Sequence, residues 1–254
     1  MSGLSYLEFH LLFIIPPILI LFVVGRMPTR RVEWVGITLM AILAVVYTTP
    51  WDNYLIARGV WWYGEGDTWR HLWVAPLGEY LFFVLQSVLT GTWIAVINPI
   101  CEYEPTDFNR LPRIVGAATW LGVSILGAIL TFAGGSDLFY LGATLMWAAP
   151  IIALQWGVGG AYLTRQWQPW LIAVVVPSVY LWMVDRIAIG LGVWTISRTY
   201  STGIDILGLP LEEAVFFVCT NLLIVYGLIL FKWITNYWNT HPSASGAGIA
   251  NRWF

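Results

Sequence analysis

The sequence predicts an all-α membrane protein with about seven transmembrane helices, arranged as two parallel three-helix repeats joined by a linking helix. Three observations support this prediction. Of the 254 residues, 59% are hydrophobic and only 10% are charged, which lies far outside the balance of soluble proteins. Seven stretches are apolar over most of the ~20 residues that a spanning helix needs. A set of polar motifs occurs twice. The net charge of −2 gives no reason to expect a nucleic-acid partner.

The seven predicted spans follow one another along the chain. No Lys or Arg precedes the first, so we expect it to remain as a helix rather than to be removed as a signal peptide. The predicted spans are 4–24, 32–47, 76–97, 114–132, 138–162, 170–189 and 209–233. They divide the chain into repeat one (1–98), a linking loop and helix (99–137), repeat two (138–233) and a polar tail (234–254).

Residues 52–84 return as residues 185–218, with acids, glycines, tryptophans and a Pro-Leu-x-Glu box in the same order. The offset is 133 residues between Asp52 and Asp185 and 134 between Glu79 and Glu213, so one insertion explains the difference. The linking helix makes the copies parallel rather than inverted, which brings both motif regions to one membrane face. Because each copy independently bears the cost of placing charge near hydrocarbon, we interpret the repeated acids as functional.

The Pro-Leu-x-Glu box predicts a glutamate near the amino terminus of a helix in each repeat. Pro76 and Pro210 suit a first helical turn, where no amide hydrogen bond is lost. Glu79 and Glu213 follow three residues later. Two phenylalanines and a neutral polar group then share the face of each glutamate, namely Phe82, Phe83 and Gln86 in one copy and Phe216, Phe217 and Thr220 in the other. The alternative is a pair of helix-terminal charges favoured by the macrodipole, with phenylalanines that only pack.

Asp52 and Asp185 form the second pair of repeated acids, each predicted at the end of a span. A glycine follows each by seven residues, at Gly59 and Gly192. Either aspartate could instead be a turn residue bonded to its own backbone. Tryptophans crowd the first motif region, and most of them are expected to anchor the membrane interface. They are Trp51, Trp61, Trp62, Trp69 and Trp73, with Trp194 as the repeat partner of Trp61.

Basic residues predict that the amino terminus lies outside and the carboxyl terminus in the cytoplasm. That orientation places eight Arg and Lys residues on the cytoplasmic side and four on the other. The eight are Arg26, Arg30, Arg31, Arg110, Arg113, Arg165, Lys232 and Arg252; the four are Arg58, Arg70, Arg186 and Arg198. His10, His71 and His241 are scattered without the spacing of metal ligands.

Four short motifs resemble the membrane-type carotenoid cyclases. They are TPWDN at 49–53, GVWWY at 59–63, PLGEYLFF at 76–83 and PLEEAVFF at 210–217. That family includes heterodimeric bacterial lycopene cyclases, fused archaeal and bacterial forms, and the cyclase domain of a fungal bifunctional enzyme. The resemblance covers both repeats. It departs at Gly78, which stands where the second copy has Glu212. No phytoene synthase domain follows, so we expect a form with cyclase activity alone.

The resemblance implies a cell-membrane enzyme that converts lycopene to β-carotene through γ-carotene. The reaction needs a carboxylic acid to protonate the terminal alkene, a carboxylate to remove a ring proton and aromatic faces to stabilise the cation. Substrate and product are isomers, so neither a redox cofactor nor a metal is expected. The candidate proton-transfer residues are Glu79, Glu213, Glu212, Asp52 and Asp185, and the candidate substrate contacts are Phe82, Phe83, Phe216, Phe217, Trp61 and Trp194.

The expected partners are lycopene and γ-carotene from the lipid phase, membrane lipids and other carotenoid enzymes. Two alternatives stay open at this point. Within the same chemistry, another carotenoid end group could be cyclised or hydrated. In a different class, a seven-helix proton or solute transporter would also place acids in the membrane. A retinal protein is disfavoured because the single lysine, Lys232, falls at the cytoplasmic end of the last span.

Overall fold

Seven helices long and apolar enough to cross a membrane form most of the chain, which confirms the predicted all-α membrane class. The computed structural model describes residues 4–24, 31–64, 68, 70–97 and 108–240. Trp69, Arg26, Arg30, Arg252, His241 and most of the predicted tail lie outside these ranges. The helices are α1 (Tyr6–Val24), α2 (Arg31–Ala57), α3 (Leu77–Ile97), α4 (Arg110–Ala133), α5 (Phe139–Arg165), α6 (Trp167–Leu191) and α7 (Leu211–Thr240).

Helix α2 is longer than predicted, which changes the position of the first repeated aspartate. The predicted span ended at residue 47, but the helix continues through Pro50 to Ala57, so Asp52 lies inside a helix rather than at its end. Asp185 lies six residues before the end of α6 at Leu191, and that end is within two residues of the predicted one. A membrane helix tolerates proline because neighbouring groups satisfy the freed backbone atoms, and it continues because no water is available to replace its hydrogen bonds.

Helix α1 contains a wider turn between two α-helical segments. Residues His10–Ile14 form a π-helical turn, after a first segment capped by Ser5. Pro16 and Pro17 follow it, and a proline has no N–H to donate to the preceding turn. The carbonyl of Phe13, four residues before Pro17, accepts a hydrogen bond from the Tyr180 hydroxyl instead. This bond fastens α1 to α6.

Short antiparallel strands, which the sequence did not predict, connect the helices on one side of the membrane. They are β1 (Trp61–Tyr63), β2 (His71–Leu72), β3 (Ala75–Pro76), β4 (Trp194–Ile196), β5 (Asp205–Ile206) and β6 (Leu209–Pro210). Strands β2 and β3 pair with each other, as do β5 and β6, whereas β1 pairs with β4. The β1–β4 pair therefore joins the first predicted repeat to the second.

Two glycines end α2 and α6 at matching positions. Gly59 and Gly192 have φ values of 75° and 76°, a left-handed conformation that glycine adopts without steric cost. In each case the next residue returns a backbone hydrogen bond to the helix, from Val60 to Leu55 and from Val193 to Ala188. After Gly59 the chain turns directly into β1, and after Gly192 it turns directly into β4. The tight ending places Trp61 and Trp194 beside the helix that precedes them.

Helix α7 lies at the centre of the bundle and packs against α2, α3, α5 and α6, whereas α4 packs along α5. Polar side chains join α3 to α7 where they cross, with Gln86 Nε2 bonded to Thr220 Oγ1 at 2.8 Å and Thr90 Oγ1 to Asn221 Oδ1 at 2.7 Å. Gln86 and Thr220 thus meet each other rather than a ligand. The division into repeats and a linker stays a prediction, and α7 passes the predicted start of the tail at residue 234.

Candidate active site

The four repeated acids line one cavity at the end of the bundle that carries the strands. The cavity has an empty volume of about 560 Å³ and is bordered by Asp52, Glu79, Asp185 and Glu213. Asp52 and Asp185 lie five and six residues before the ends of α2 and α6, and the glutamates are the third residues of α3 and α7. The predicted glutamate positions near helix amino termini are confirmed. Asp52, Asp185 and Glu213 are buried, and Glu79 is partly buried.

Two tyrosine hydroxyls reach Glu79. Tyr63 of β1 donates to Glu79 Oε1, and the Tyr6 hydroxyl is a second hydrogen-bond partner. The indole Nε1 of Trp61 donates to the Tyr63 oxygen at 3.0 Å, so Tyr63 receives one hydrogen bond and gives another. Burial, followed by the negative charge of Glu79, raises the pKa of Tyr63 well above its ordinary value of 10.0. Tyr63 is therefore a permanent O–H donor to Glu79.

One tyrosine reaches Glu213. The Tyr140 hydroxyl donates to Glu213 Oε1 at 2.8 Å. Tyr140 stands 134 residues after Tyr6, so the two repeats use the same tyrosine position for the same glutamate. Each of these tyrosine rings packs on a tryptophan ring of the other repeat. Tyr6 packs on Trp194 with 5.2 Å between ring centroids, and Tyr140 packs on Trp61 at 5.5 Å.

The two aspartates differ in their hydrogen bonds. Trp194 Nε1 donates to Asp185 Oδ1 at 2.9 Å, which leaves Asp185 Oδ2 buried without a partner among the described residues. Asp52 Oδ2 is likewise buried without a partner there. Each aspartate lies close enough to the glutamate of its own repeat for their charges to interact. The cavity therefore holds two carboxyl pairs, each with an oxygen that is open to a ligand or a proton.

Aromatic rings form the other walls of the cavity. Phe82, Phe216, Phe217, Trp61 and Trp194, all candidates from the sequence, line it. The sixth candidate, Phe83, does not; it faces a separate groove between α2, α5 and α7.

Glu212 lies beside the cavity but does not line it. Its Oε1 accepts a hydrogen bond from the Thr202 backbone N–H at 2.7 Å, and its side chain is fully buried. At the matching position in the first copy, a Cβ on Gly78 would lie 2.4 Å from the Tyr6 ring. The first copy therefore has glycine because Tyr6 occupies the space on its way to Glu79. This explains why the two copies differ at the position before the repeated glutamate.

The sequence reasoning missed Tyr6, Tyr63, Tyr140, Trp51 and His10. Trp51 was grouped with interfacial tryptophans, but it lines the cavity. His10 is fully buried, stacks on Tyr6 with 4.8 Å between ring centroids, and bonds the Tyr6 carbonyl through Nδ1. A carbonyl only accepts, so Nδ1 donates and the unpartnered Nε2 is an acceptor when the ring is neutral. The repeated Tyr6 and Tyr140 carried a usable signal in their 134-residue offset.

Comparison with known proteins identifies similar sequences across most of the chain. A family model described as lycopene cyclase matches residues 5–97 and 137–234. A lycopene beta-cyclase of Halobacterium salinarum is 43% identical over 92% of this chain and 98% of its own length. A bifunctional lycopene cyclase/phytoene synthase of Arthroderma gypseum is 32% identical over 89% of this chain, which spans 41% of that fungal protein. No solved structure matches.

Proposed function

Because the chain belongs to the lycopene cyclase family, we propose that it closes both ends of lycopene at the cavity that holds Asp52, Glu79, Asp185 and Glu213. The chain is an enzyme that cyclises lycopene, and its relatives do not favour the transporter or another carotenoid end group. The observation that carries the site assignment is the meeting of four repeated acids and nine aromatic side chains around one cavity.

Glu213 is proposed as the acid. Tyr140 holds its Oε1, so the second oxygen remains to carry a proton into the cavity. That proton passes to the terminal alkene of lycopene and leaves a tertiary cation. The neighbouring double bond then attacks the cation and closes the ring, which moves the positive charge onto a ring carbon. Glu213 is left as a carboxylate.

Glu79 is proposed as the base that completes the reaction. A carboxylate only accepts hydrogen bonds, and the phenol O–H groups of Tyr63 and Tyr6 both donate to Glu79. Removal of a ring proton by Glu79 forms the ring double bond and yields the β ring. Asp52 and Asp185, each beside the glutamate of its own repeat, are proposed to return the proton from Glu79 to Glu213 between cycles. One proton is added and one removed, so no oxidant or reductant is required.

Aromatic faces are proposed to protect the cation. A ring quadrupole attracts positive charge by roughly 0.5–2 kcal/mol without forming a bond to it. Phe82, Phe216, Phe217, Trp61 and Trp194 supply such rings on all sides of the acids. They also exclude water, which would trap the cation as an alcohol. Glu212, which anchors the Thr202 backbone, is proposed to position the loop before β5 rather than to transfer protons.

One cavity implies that the two ends of lycopene react in turn. After the first ring closes, γ-carotene must withdraw and present its open end to the same acids. We propose that both substrates enter from the lipid phase, because the cavity lies among apolar helices. Association with the enzymes that make lycopene or consume β-carotene stays a prediction.

Pigment analysis tests the site assignment. Lycopene-producing cells would express the wild-type chain, Glu79→Gln, Glu213→Gln and, as the matched control, Glu212→Gln. Glutamine keeps the shape of glutamate, and at position 212 its carbonyl still accepts from Thr202. We expect β-carotene from the wild type and the control, and its loss in both cavity variants. Undiminished β-carotene in both cavity variants would refute the proposed acid and base.

The orientation in the membrane is also proposed, with the amino terminus and the cavity on the outer side. Arg31, Arg110, Arg113, Arg165 and Lys232 all lie toward the helix ends opposite the cavity. Fusions of a fluorescent protein and of a periplasmic phosphatase to the carboxyl terminus would test it. Fluorescence without phosphatase activity is the expected result, and the reverse would overturn the assignment.

A further inference from the structure

A long apolar groove runs away from the cavity along α7. Its empty volume is about 1380 Å³, more than twice that of the cavity. Helix α7 forms the floor from Phe216 to Ile234, and α2 and α5 form the walls. Eighteen residues separate the two ends on α7, a rise of about 27 Å, which is most of the hydrocarbon thickness of a bilayer.

The groove and the cavity share one wall. Phe216 lines both, so a single side chain separates the acids from the groove. Trp51 stacks on Phe216 with 5.8 Å between ring centroids and on Trp147 at 4.6 Å. Trp51 borders the cavity and Trp147 the groove. This aromatic stack therefore lies between the two spaces, where a polyene that occupied both would have to pass.

The groove opens sideways toward the lipid. Helices α2 and α5 both pack against α7, and near the cavity they also bond to each other, where Trp51 Nε1 donates to the Ala143 carbonyl. There the Tyr47 hydroxyl donates to the Trp147 carbonyl at 2.8 Å and bridges the two walls. Farther along, Leu43 and Leu154 on opposite walls are 49% and 62% exposed. A hydrocarbon chain can enter between these rims without passing through water.

From this geometry we propose that the groove binds the unreacted polyene arm of lycopene while one end occupies the cavity. The inference rests on the proposed function. It commits to a polyene because the groove ends at Phe216, which also lines the acid cavity, and because no charged residue lines it within the described part of the chain, so nothing there would hold a lipid headgroup. Among its polar side chains, Gln86 is bonded to Thr220 and Gln155 Nε2 to the Leu223 carbonyl, whereas Gln155 Oε1 is buried without a partner among the described residues.

Gly227 offers the test, because it lies on the groove floor eleven residues from Phe216, about 16 Å along the helix. A Cβ there would meet the sulfur of Met40, the flexible end of a long side chain, at 2.3 Å. Gly227→Leu therefore fills the groove at mid-length and leaves the cavity intact. Gly122→Leu on α4 is the matched control, since Gly122 is exposed and nothing lies within 4 Å of the new Cβ.

Each variant would be assayed in lipid vesicles with lycopene and with a synthetic polyene that carries one reactive end and half the chain of lycopene, too short to reach Gly227. In Gly227→Leu we expect the rate on lycopene, relative to the rate on the short polyene, to fall about tenfold or more. Even one methylene group too many in an apolar pocket has an effect of that size. Gly122→Leu should keep the wild-type ratio. An unchanged ratio in Gly227→Leu would overturn the inference and leave the groove to lipid acyl chains.

A second variant covers the case in which Gly227→Leu loses both activities. Ile151→Trp fills the groove from α5 rather than from its floor, and it must reduce the rate on lycopene selectively. Equal loss of both substrates in Ile151→Trp would also overturn the inference. The proposed function fails separately, namely if the wild-type protein cyclises neither polyene.

Discussion

The tyrosines around the acids allow the proposed charge states to be tested by removing single hydroxyl groups. Tyr63→Phe removes a donor to Glu79, the proposed carboxylate, and Tyr140→Phe removes the donor to Glu213, the proposed neutral acid. Both changes delete one oxygen atom and keep the ring. If the assignments are right, the first change is the more damaging to catalysis.

The expected sizes follow from the hydrogen bonds. A hydrogen bond to a charged group contributes about 1.5–3 kcal/mol and one to a neutral group about 0.5–1.5 kcal/mol. A change of about 1.4 kcal/mol in activation free energy changes the rate tenfold. Tyr63→Phe should therefore lower kcat/KM about 10- to 100-fold, and Tyr140→Phe about 2- to 10-fold. Tyr63→Phe also leaves Trp61 Nε1 without its acceptor, which costs stability of about 1–3 kcal/mol.

The assay would measure initial rates of lycopene consumption in vesicles, normalised to the amount of folded protein. Tyr180→Phe is the control, because its hydroxyl bonds the Phe13 carbonyl outside the cavity. We expect Tyr180→Phe to keep the wild-type rate. A larger loss in Tyr140→Phe than in Tyr63→Phe would refute the assignment of Glu79 as carboxylate and Glu213 as acid.

Three further outcomes are expected. Because one cavity serves both ends, γ-carotene should exceed β-carotene early in the reaction, as chromatography of timed samples would reveal; β-carotene as the first product would contradict sequential use. Reaction in D2O should place up to one solvent-derived deuterium in each ring, detectable by mass spectrometry, because the proton returned from Glu79 to Glu213 passes over carboxyl groups that exchange with solvent; product without deuterium would contradict that exchange. Gly192→Ala should destabilise the protein by about 1–2 kcal/mol, because φ is 76° there and the space is open, so only the backbone resists. Gly190→Ala, in the helix with equally open space, is the control, and equal thermal midpoints in detergent would count against the backbone argument.

Repetition made much of the fold and the cavity predictable from sequence. Glu79 and Glu213 occupy the predicted places near helix amino termini, and the acids from both copies line one cavity. Asp52 was misplaced, because the predicted span stopped at residue 47 whereas α2 runs through Pro50 to Ala57. In a bilayer the helix continues, since each broken backbone bond would stay unsatisfied.

The tyrosines and the strands were harder to predict. Tyr6 and Tyr140 reach the glutamates across the bundle, and no local pattern reports which helix faces which. The strands have two or three residues each, too short for a periodic pattern, and β1 pairs with β4 from a distant segment, for example Trp61 with Ile196. Phe83 was grouped with Phe82 by helical spacing, but a step of one residue turns it toward the groove.

The π-helical turn in α1 sets the angular phase of the first helix. One surplus residue in His10–Ile14 rotates everything before it by about 100° relative to the segment that follows. The segment before the π-helical turn can therefore direct Tyr6 toward Glu79, while the segment after the turn keeps its own packing face. The directions in which the two segments of α1 point their side chains are therefore set independently of each other. Deleting one residue within the turn would restore regular α-helical phase and swing the Tyr6 hydroxyl away from the acid without changing a single cavity residue.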